Sequence, residues 1–183
     1  MQSPFTPMNK FVVGVLVGIC LPLLAAYAFV MMGGMPVATK GKPLPLEHFL
    51  ASKAIHKAMG REVERPSPVP ADEINLLAGA KVYRANCAVC HGQPARPAVI
   101  SPIAKGMFPE PPLLVGPEKG VTNNSTGESF WKVKNGIRLT GMPGYSDSLS
   151  ETEMWQASLI VAKAHELPAS VVKLLDEPLP SAK

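Results

Sequence analysis

The chain has 183 residues, which is enough for about one domain, and its formal net charge is +4. Apolar residues are unevenly distributed, because residues 11–35 contain no charged residue and 20 of these 25 residues are apolar. The charge is uneven as well: residues 36–71 carry a net +3, whereas residues 72–168 contain nine basic and nine acidic residues. One apolar segment and one small domain exclude a polytopic transporter, a large multidomain enzyme and a fully disordered chain. A nucleic-acid-binding protein carries its positive charge on the folded domain, so a balanced domain argues against that class.

The apolar segment 11–35 exceeds the roughly 20 residues that a helix needs to cross a bilayer. Pro22 lies near its middle, where membrane helices tolerate a kink. The alternative is a cleaved signal peptide, because residues 26–28 have the small-x-small form of a cleavage site. The apolar run continues past residue 28, which favours a retained transmembrane anchor preceded by a short cytoplasmic segment, residues 1–10.

Residues 36–71 form a linker that is rich in proline and charge. Apolar residues recur in it at helical spacing and predict a short amphipathic helix over about residues 46–60; they are Leu46, Phe49, Leu50, Ala54 and Ala58. The basic side chains of Lys53, Lys57 and Arg61 can rest near anionic lipid head groups, which accounts for the net +3 of this region. The alternative is a solvated helix that packs on the globular domain.

A C-x-x-C-H run, Cys87-Ala88-Val89-Cys90-His91, carries the clearest chemistry. Two thiols three residues apart can add to the two vinyl groups of one haem, while the adjoining imidazole reaches the iron. A thioredoxin-like C-x-x-C follows a strand, whereas the residues before this run have a helical pattern. A zinc site needs about four ligands, and no further cysteine lies outside the apolar segment. The run therefore indicates covalent haem.

A second pattern, Gly141-Met142-Pro143-Gly144, follows His91 by 51 residues. A methionine framed by glycine and proline is poorly placed as core filler, the usual role of this residue. It is well placed to present its thioether sulfur to the sixth position of a haem iron. Met107 is the main alternative for this position, and ligation by two histidines is another, with the candidates His48, His56 and His165.

With these two motifs the chain resembles a membrane-anchored, single-haem c-type cytochrome of class I. The resemblance covers roughly residues 72–168. It implies an all-α fold in which three main helices surround one covalent haem c, with an N-terminal transmembrane helix outside that domain. By position it makes Cys87 and Cys90 the thioether attachments, His91 the proximal ligand and Met142 the distal ligand.

Three helices are predicted within the haem domain: Asp72 to Asn86, Ser125 to about Gly136, and Ser150 to just before Pro168. The second and third begin with Ser-x-x-Glu, the pattern of a capping box. In class I cytochromes the first and last helices cross closely, so by resemblance Gly79 and Tyr83 would meet Trp155 and Leu159. Residues 169–183 are assigned to a C-terminal tail.

A long loop with seven prolines joins Gly92 to Gly127 and is expected to wrap the haem. One proline carbonyl in it is expected to accept the Nδ1 proton of His91 and so fix its tautomer; the candidates are Pro97 and Pro102. Three polar side chains either hydrogen-bond the haem propionates or are only structural: Arg96, Trp131 and Tyr145.

Ligation by histidine and methionine leaves no open position on the iron, and a thioether ligand raises the reduction potential. The predicted function is therefore electron transfer, without enzymatic activity or a small-molecule substrate. The alternative is a haem enzyme or a gas sensor in which Met142 is displaced.

Covalent haem attachment takes place outside the cytoplasm, in bacteria in the periplasm. We therefore expect a single-pass protein of the bacterial inner membrane with its haem domain on the periplasmic side. The positive-inside rule argues the opposite, since only Lys10 precedes the apolar segment while Lys40 and Lys42 follow it. The expected partners are redox proteins or a membrane redox complex. An acidic partner can be steered by a basic cluster of Lys132, Lys134 and Arg138.

Overall fold

The computed structural model describes residues 7–94, 100–116 and 124–179, and the regular structure in these ranges is entirely helical. The predicted all-α class is thereby confirmed. The helices are α1 Pro7–Met31, α2 Glu47–Met59, a 3₁₀ helix Gly60–Glu64, α3 Glu73–Asn86, α4 Ala88–His91, α5 Pro102–Lys105, α6 Thr126–Asn135, α7 Glu151–Ala162 and α8 Ala169–Asp176. The chain divides into two compact units, Met1–Pro45 and Leu46–Lys183.

In the first unit, α1 is a candidate membrane anchor by its length and composition. Its 25 residues span about 37 Å at 1.5 Å per residue, which exceeds the ~30 Å hydrocarbon core of a bilayer. None of its side chains is buried. Pro22 lies inside the helix without ending it, and the helix ends at Met31, before the predicted end of the apolar segment.

In the second unit, α3 and α7 cross with their backbones in contact. A Cβ atom on Gly79 would lie 2.6 Å from the carbonyl carbon of Gln156 and 3.1 Å from Cγ1 of Ile160. The absence of a side chain at this position therefore permits the crossing. The predicted close approach of the first and last main helices is confirmed, although the backbone contact of Gly79 is with Gln156 rather than with Trp155.

Two apolar clusters form the core of this unit. The first joins α3, α4, α7 and α8; its buried members are Leu76, Ala80, Tyr83, Ala88, Val115, Leu159, Ile160, Val161, Val171 and Leu175. The second contains Phe130, Val133, Met154 and Trp155. The rings of Phe130 and Trp155 stack with their centroids 3.9 Å apart. Tyr83 and Leu159 therefore share a cluster as predicted, whereas Trp155 packs in the other.

Residues 169–176, which the sequence analysis assigned to a tail, form α8 instead. Val171 and Leu175 lie one turn apart, so they share a face of the helix, and both are fully buried in the first cluster. Arg84 of α3 donates to the backbone carbonyl of Pro178 at 3.0 Å and pairs with the carboxylate of Glu177 at 3.1 Å. Burial of an apolar face thus makes this segment part of the domain.

The segment before α3 also belongs to the second compact unit, which begins at Leu46. The predicted amphipathic helix is α2. Beyond it, Arg65 stacks over the rings of Phe130 and Trp155, at 5.3 and 5.2 Å from their centroids. Its guanidinium also contacts the carboxylate of Glu151 at 3.0 Å. These long-range contacts hold the end of the predicted linker against the second cluster.

The two predicted capping boxes differ in outcome. The box at the start of α7 is complete, with Ser150 and Glu153 bonded reciprocally. At the start of α6 only half of it forms: the Ser125 side chain accepts from the backbone N–H of Glu128. The Glu128 carboxylate instead pairs with Lys132 at 2.6 Å, so it does not return to the cap residue.

Candidate haem site

One apolar cavity in the globular unit has an empty volume of about 1120 Å³, counting its open mouth. The end of α3, helix α4, the loop after α5, helix α6 and the loop after α6 line it. The cavity brings together all four predicted site residues, which are Cys87, Cys90, His91 and Met142. The fold thus places two motifs that lie 51 residues apart in the sequence on the walls of a single space.

His91 is the last residue of α4, and its Nδ1 atom lies 2.8 Å from the carbonyl oxygen of Pro112. A carbonyl only accepts a hydrogen bond, so Nδ1 carries the proton and Nε2 keeps the lone pair that a metal requires. Burial lowers the pKa of His91, with the bond to Pro112 opposing this effect. The imidazole is therefore held neutral and in one tautomer.

The acceptor for His91 is a proline carbonyl as predicted, but the residue was wrong. Pro102 begins α5, Pro97 lies outside the described residues, and Pro112 makes the contact. The reason is the path of the loop, since the backbone N–H of Leu114 donates to the carbonyl of His91 at 3.2 Å. This bond aligns the segment that contains Pro112 along α4.

The two cysteines lie on one helical turn, in which the backbone N–H groups of Cys90 and His91 both donate to the carbonyl of Cys87 at 3.1 and 2.8 Å. Both side chains line the cavity. Burial raises the pKa of the Cys87 thiol to about 12, with the neighbouring Cys90 as the second cause. Cys87 is thus held as a neutral thiol in the folded chain.

Tyr83, which was predicted to contact the last main helix, also has a role at this site. The residue is fully buried and lines the cavity, and its hydroxyl group lies 3.1 Å from the carbonyl of His91 and 2.9 Å from that of Gly92. Burial raises its pKa well above the usual value, so the group stays a neutral donor. The sequence did contain a signal: a buried tyrosine hydroxyl needs an acceptor, and Tyr83 lies one helical turn before Cys87.

Met142 also lines the cavity, and two hydrogen bonds hold its backbone. Its N–H lies 3.1 Å from Oγ1 of Thr140, and its carbonyl accepts from the N–H of Ile137 at 3.1 Å. Gly136 precedes this loop with φ = +67°, and a Cβ there would lie 2.7 Å from the carbonyl carbon of Pro143. The glycine therefore permits the tight loop that presents Met142.

Met107, the alternative ligand, also lines the cavity. Its Sδ atom lies beside Gly141, 2.8 Å from where a Cβ on that residue would be. Two thioether groups consequently border the same space. His48, His56 and His165 are not among the residues that line it, so the cavity offers no support for ligation by a second histidine.

Other side chains that were expected at the haem or in the docking cluster have different positions or partners in the structure. Tyr145 lines the cavity, but its hydroxyl donates to the backbone carbonyl of Asn86 at 2.9 Å. Trp131 does not line the cavity, and Arg96 lies outside the described residues. Lys132, expected in a docking cluster, lines the cavity and pairs with the mostly buried Glu128.

This donor set fits a covalently attached haem. Two thiols, a neutral imidazole with a free Nε2 lone pair and two thioether groups border the same largely apolar space. In the part of the chain that the structure describes, no three His, Cys, Asp or Glu residues cluster so that they could hold a bare metal ion. The set thus suits a metal that arrives within a porphyrin.

An all-α domain with a C-x-x-C-H run on the wall of an apolar cavity is a c-type cytochrome domain. Residues 75–158 match the family model of cytochrome c oxidase, cbb3-type, subunit III, and this part of the chain is a cytochrome c-type domain. The match covers slightly less than half of the chain and contains the four predicted site residues. No curated protein and no solved structure gave a significant match.

Proposed function

We propose that the protein is a membrane-anchored electron carrier with one haem c, bound through Cys87 and Cys90 and ligated by His91 and Met142. The observation that carries this proposal is the convergence of these four side chains on one apolar cavity. The number of haems follows from the sequence, which contains a single C-x-x-C-H run. When bound, the haem supplies an iron that gains and loses one electron.

The residues around the cavity have separate tasks in this proposal. The thiols of Cys87 and Cys90 would hold the porphyrin through thioether bonds to its vinyl groups. The Pro112 carbonyl keeps the proton on Nδ1 of His91 and directs Nε2 to the iron. A thioether ligand favours the reduced iron and raises the potential. With His91 and Met142 both bound to the iron, substrates and gases would find no free coordination position, which favours electron transfer over the alternative of a haem enzyme or gas sensor.

The assignment of Met142 rather than Met107 is supported by how the two backbones are held. Thr140 and Ile137 fix the N–H and the carbonyl of Met142. Met107 follows the short helix α5, and its N–H donates to the carbonyl of Ala104 at 3.1 Å. In the proposal Met107 packs beside Gly141 and supports the loop that presents the ligand.

We place the protein in the bacterial inner membrane, with α1 as a single span and the haem domain on the periplasmic side. The support is chemical, because covalent haem attachment takes place outside the cytoplasm. The matching family is described as an oxidase subunit, and we propose by analogy that the partners are redox proteins of a membrane complex in a respiratory chain.

Haem retention tests the site. The full chain, produced with the machinery for haem attachment, is extracted with acidified organic solvent. The wild type should keep its haem, and the double variant Cys87→Ala/Cys90→Ala should lose it. Cys20→Ala is the matched control, since Cys20 is the third cysteine and lies in α1, and it should keep the haem. Retention by the double variant would contradict covalent attachment.

The absorption spectrum separates electron transfer from the alternative. A carrier with two protein ligands should give low-spin spectra in both redox states and no change when carbon monoxide is added at neutral pH. A high-spin spectrum or a shift with carbon monoxide would show an open position and favour the enzyme or sensor.

The orientation of the protein in the membrane is tested with alkaline phosphatase fused after Lys183, which should be active. An inactive fusion that is produced at normal levels would place the haem domain in the cytoplasm.

A further inference from the structure

Helix α2 has one buried face and one face of exposed apolar side chains. Met59 is buried, and Ile55, one turn earlier, is half-buried. On the other side, Leu46, Phe49 and Leu50 are 68%, 55% and 59% exposed. Adjacent exposed apolar side chains of this size usually mark a surface that contacts another partner or a membrane.

The basic side chains of this segment extend the same exposed face toward the end of the helix. The Nζ atom of Lys53 lies 5.8 Å from the centre of the Phe49 ring, so the two side chains are neighbours. Lys57 lies one turn further along α2, Arg61 follows in the 3₁₀ helix Gly60–Glu64, and both are exposed. Positions spaced by three and four residues share a face of a helix. The outer face of α2 is therefore apolar in its first turns and cationic in the next ones.

We propose that this outer face, comprising Leu46, Phe49, Leu50, Lys53, Lys57 and Arg61, docks on the surface of an anionic lipid bilayer. A helix that combines Phe and Leu with Lys and Arg suits the boundary between head groups and acyl chains. The lysine stems can lie on the apolar surface while their ammonium groups reach the phosphates. Exposed basic residues near an anionic leaflet each add to the attraction.

The position of α2 in the chain supports this occupant over a protein. Residues 32–46, which are 15 residues, separate the end of α1 from the start of α2. Fully extended, they reach at most about 50 Å, so the length of this segment allows α2 to contact the lipid surface in which α1 is anchored. The inference rests on the proposed role of α1 as the anchor. Docking of α2 would confine the haem domain near membrane-bound partners.

The experiment is hydrogen exchange with mass spectrometry on the full, haem-loaded chain in single-copy nanodiscs. One set of discs contains phosphatidylcholine alone, and the other contains phosphatidylcholine with phosphatidylglycerol. We expect amides of α2 to exchange more slowly in the anionic discs, while those of α8 exchange equally in both. Equal exchange of α2 in both discs would overturn the proposal, as would protection that arises only with two copies in a disc.

Charge variants test whether the basic side chains cause the slower exchange of α2 in the anionic discs. The triple variant Lys53→Gln/Lys57→Gln/Arg61→Gln should remove the difference in α2 exchange between the two kinds of disc. Each basic residue near an anionic surface contributes about fivefold to the ratio of docked to undocked α2, so the loss of three lowers this ratio roughly a hundredfold. The matched control neutralises exposed lysines elsewhere, at Lys81, Lys105 and Lys173, and should leave the difference intact. An unchanged haem spectrum confirms that each variant is folded. A failure of α1 to anchor the chain is distinguishable from a failure of α2 to dock, because the protein would then separate from the discs.

Discussion

The Nδ1 atom of His91 and the carbonyl oxygen of Pro112 lie 2.8 Å apart, although 21 residues separate them in the chain. This contact gives the proline-rich loop a chemical task beyond covering the cavity. It fixes which nitrogen of the imidazole carries the proton, and so which nitrogen is available to iron. A backbone carbonyl performs this task, and side-chain substitution at residue 112 does not remove it.

The first prediction concerns Met142, the proposed distal ligand. Replacing Met142 by histidine should keep the covalent haem but lower its reduction potential, because imidazole stabilises the oxidised iron more than a thioether does. The expected change is on the order of 0.1 V, within the span of about 0.8 V that axial ligands set. Redox titration of the purified full chain measures it.

Met107→Leu is the control for this prediction. It replaces the other sulfur that borders the cavity by an apolar side chain of similar volume, and it should leave the haem low-spin with nearly the wild-type potential. If Met107→Leu lowered the potential and Met142→His did not, Met107 would be the ligand.

The second prediction concerns Tyr83 and alkaline pH. Burial raises the pKa of Tyr83 above its value of about 10 in an unfolded chain. The unfolded state therefore releases this proton at a lower pH than the folded state does, and the stabilising contribution is present below pH ~10 and lost as pH rises above it. In Tyr83→Phe this loss should disappear, so its free energy of unfolding should fall less between pH 8 and 11 than that of the wild type.

At pH 8, Tyr83→Phe should also be less stable by about 1 kcal/mol, the usual net contribution of a hydrogen bond, since the bonds to His91 and Gly92 are lost. Denaturant unfolding followed by the haem absorption measures both effects. Tyr27→Phe in α1 is the control and should match the wild type. An equal fall for Tyr83→Phe and the wild type would contradict the assigned protonation behaviour.

Local patterns in the sequence were sufficient to predict much of the domain. The Ser150 capping box and the extent of α3 depend on residues close in the chain, and the structure agrees with both. The convergence of Met142 with His91 was predicted by resemblance, and a single cavity contains both.

Features that depend on the path of the chain were not predictable in this way. Seven prolines lie between Gly92 and Gly127, and local pattern cannot show which carbonyl faces His91. Arg65 was assigned to a linker because its partners Phe130, Trp155 and Glu151 lie far away in the sequence. In each case the neighbouring residues in the sequence do not indicate the contact, because it forms only when distant segments come together in the folded chain.

The third prediction tests the helix crossing. A methyl group added at Gly79 would overlap the backbone of Gln156, and a backbone cannot move as a side-chain end can. Gly79→Ala should therefore destabilise the protein by about 1–3 kcal/mol, the usual cost of overpacking, in spite of alanine's higher helix propensity. Gly106→Ala is the control, because the nearest atom to its added Cβ lies at 3.4 Å. Equal stabilities of the two variants, measured by denaturant unfolding, would contradict the close crossing.

The fourth prediction tests whether α8 is part of the domain. Leu175 is fully buried against the first cluster, and replacing it by alanine removes packed methyl groups and leaves a cavity. We expect a loss of about 2–5 kcal/mol in the free energy of unfolding. Lys173→Ala, at an exposed position of the same helix, should change it little, because surface substitutions usually stay within about 0.5 kcal/mol. Since α8 packs on α3, which leads into the haem-binding turn, Leu175→Ala should also advance the loss of the haem's native absorption to a lower denaturant concentration. If the helix were an undocked tail, both variants would unfold at the midpoint of the wild type.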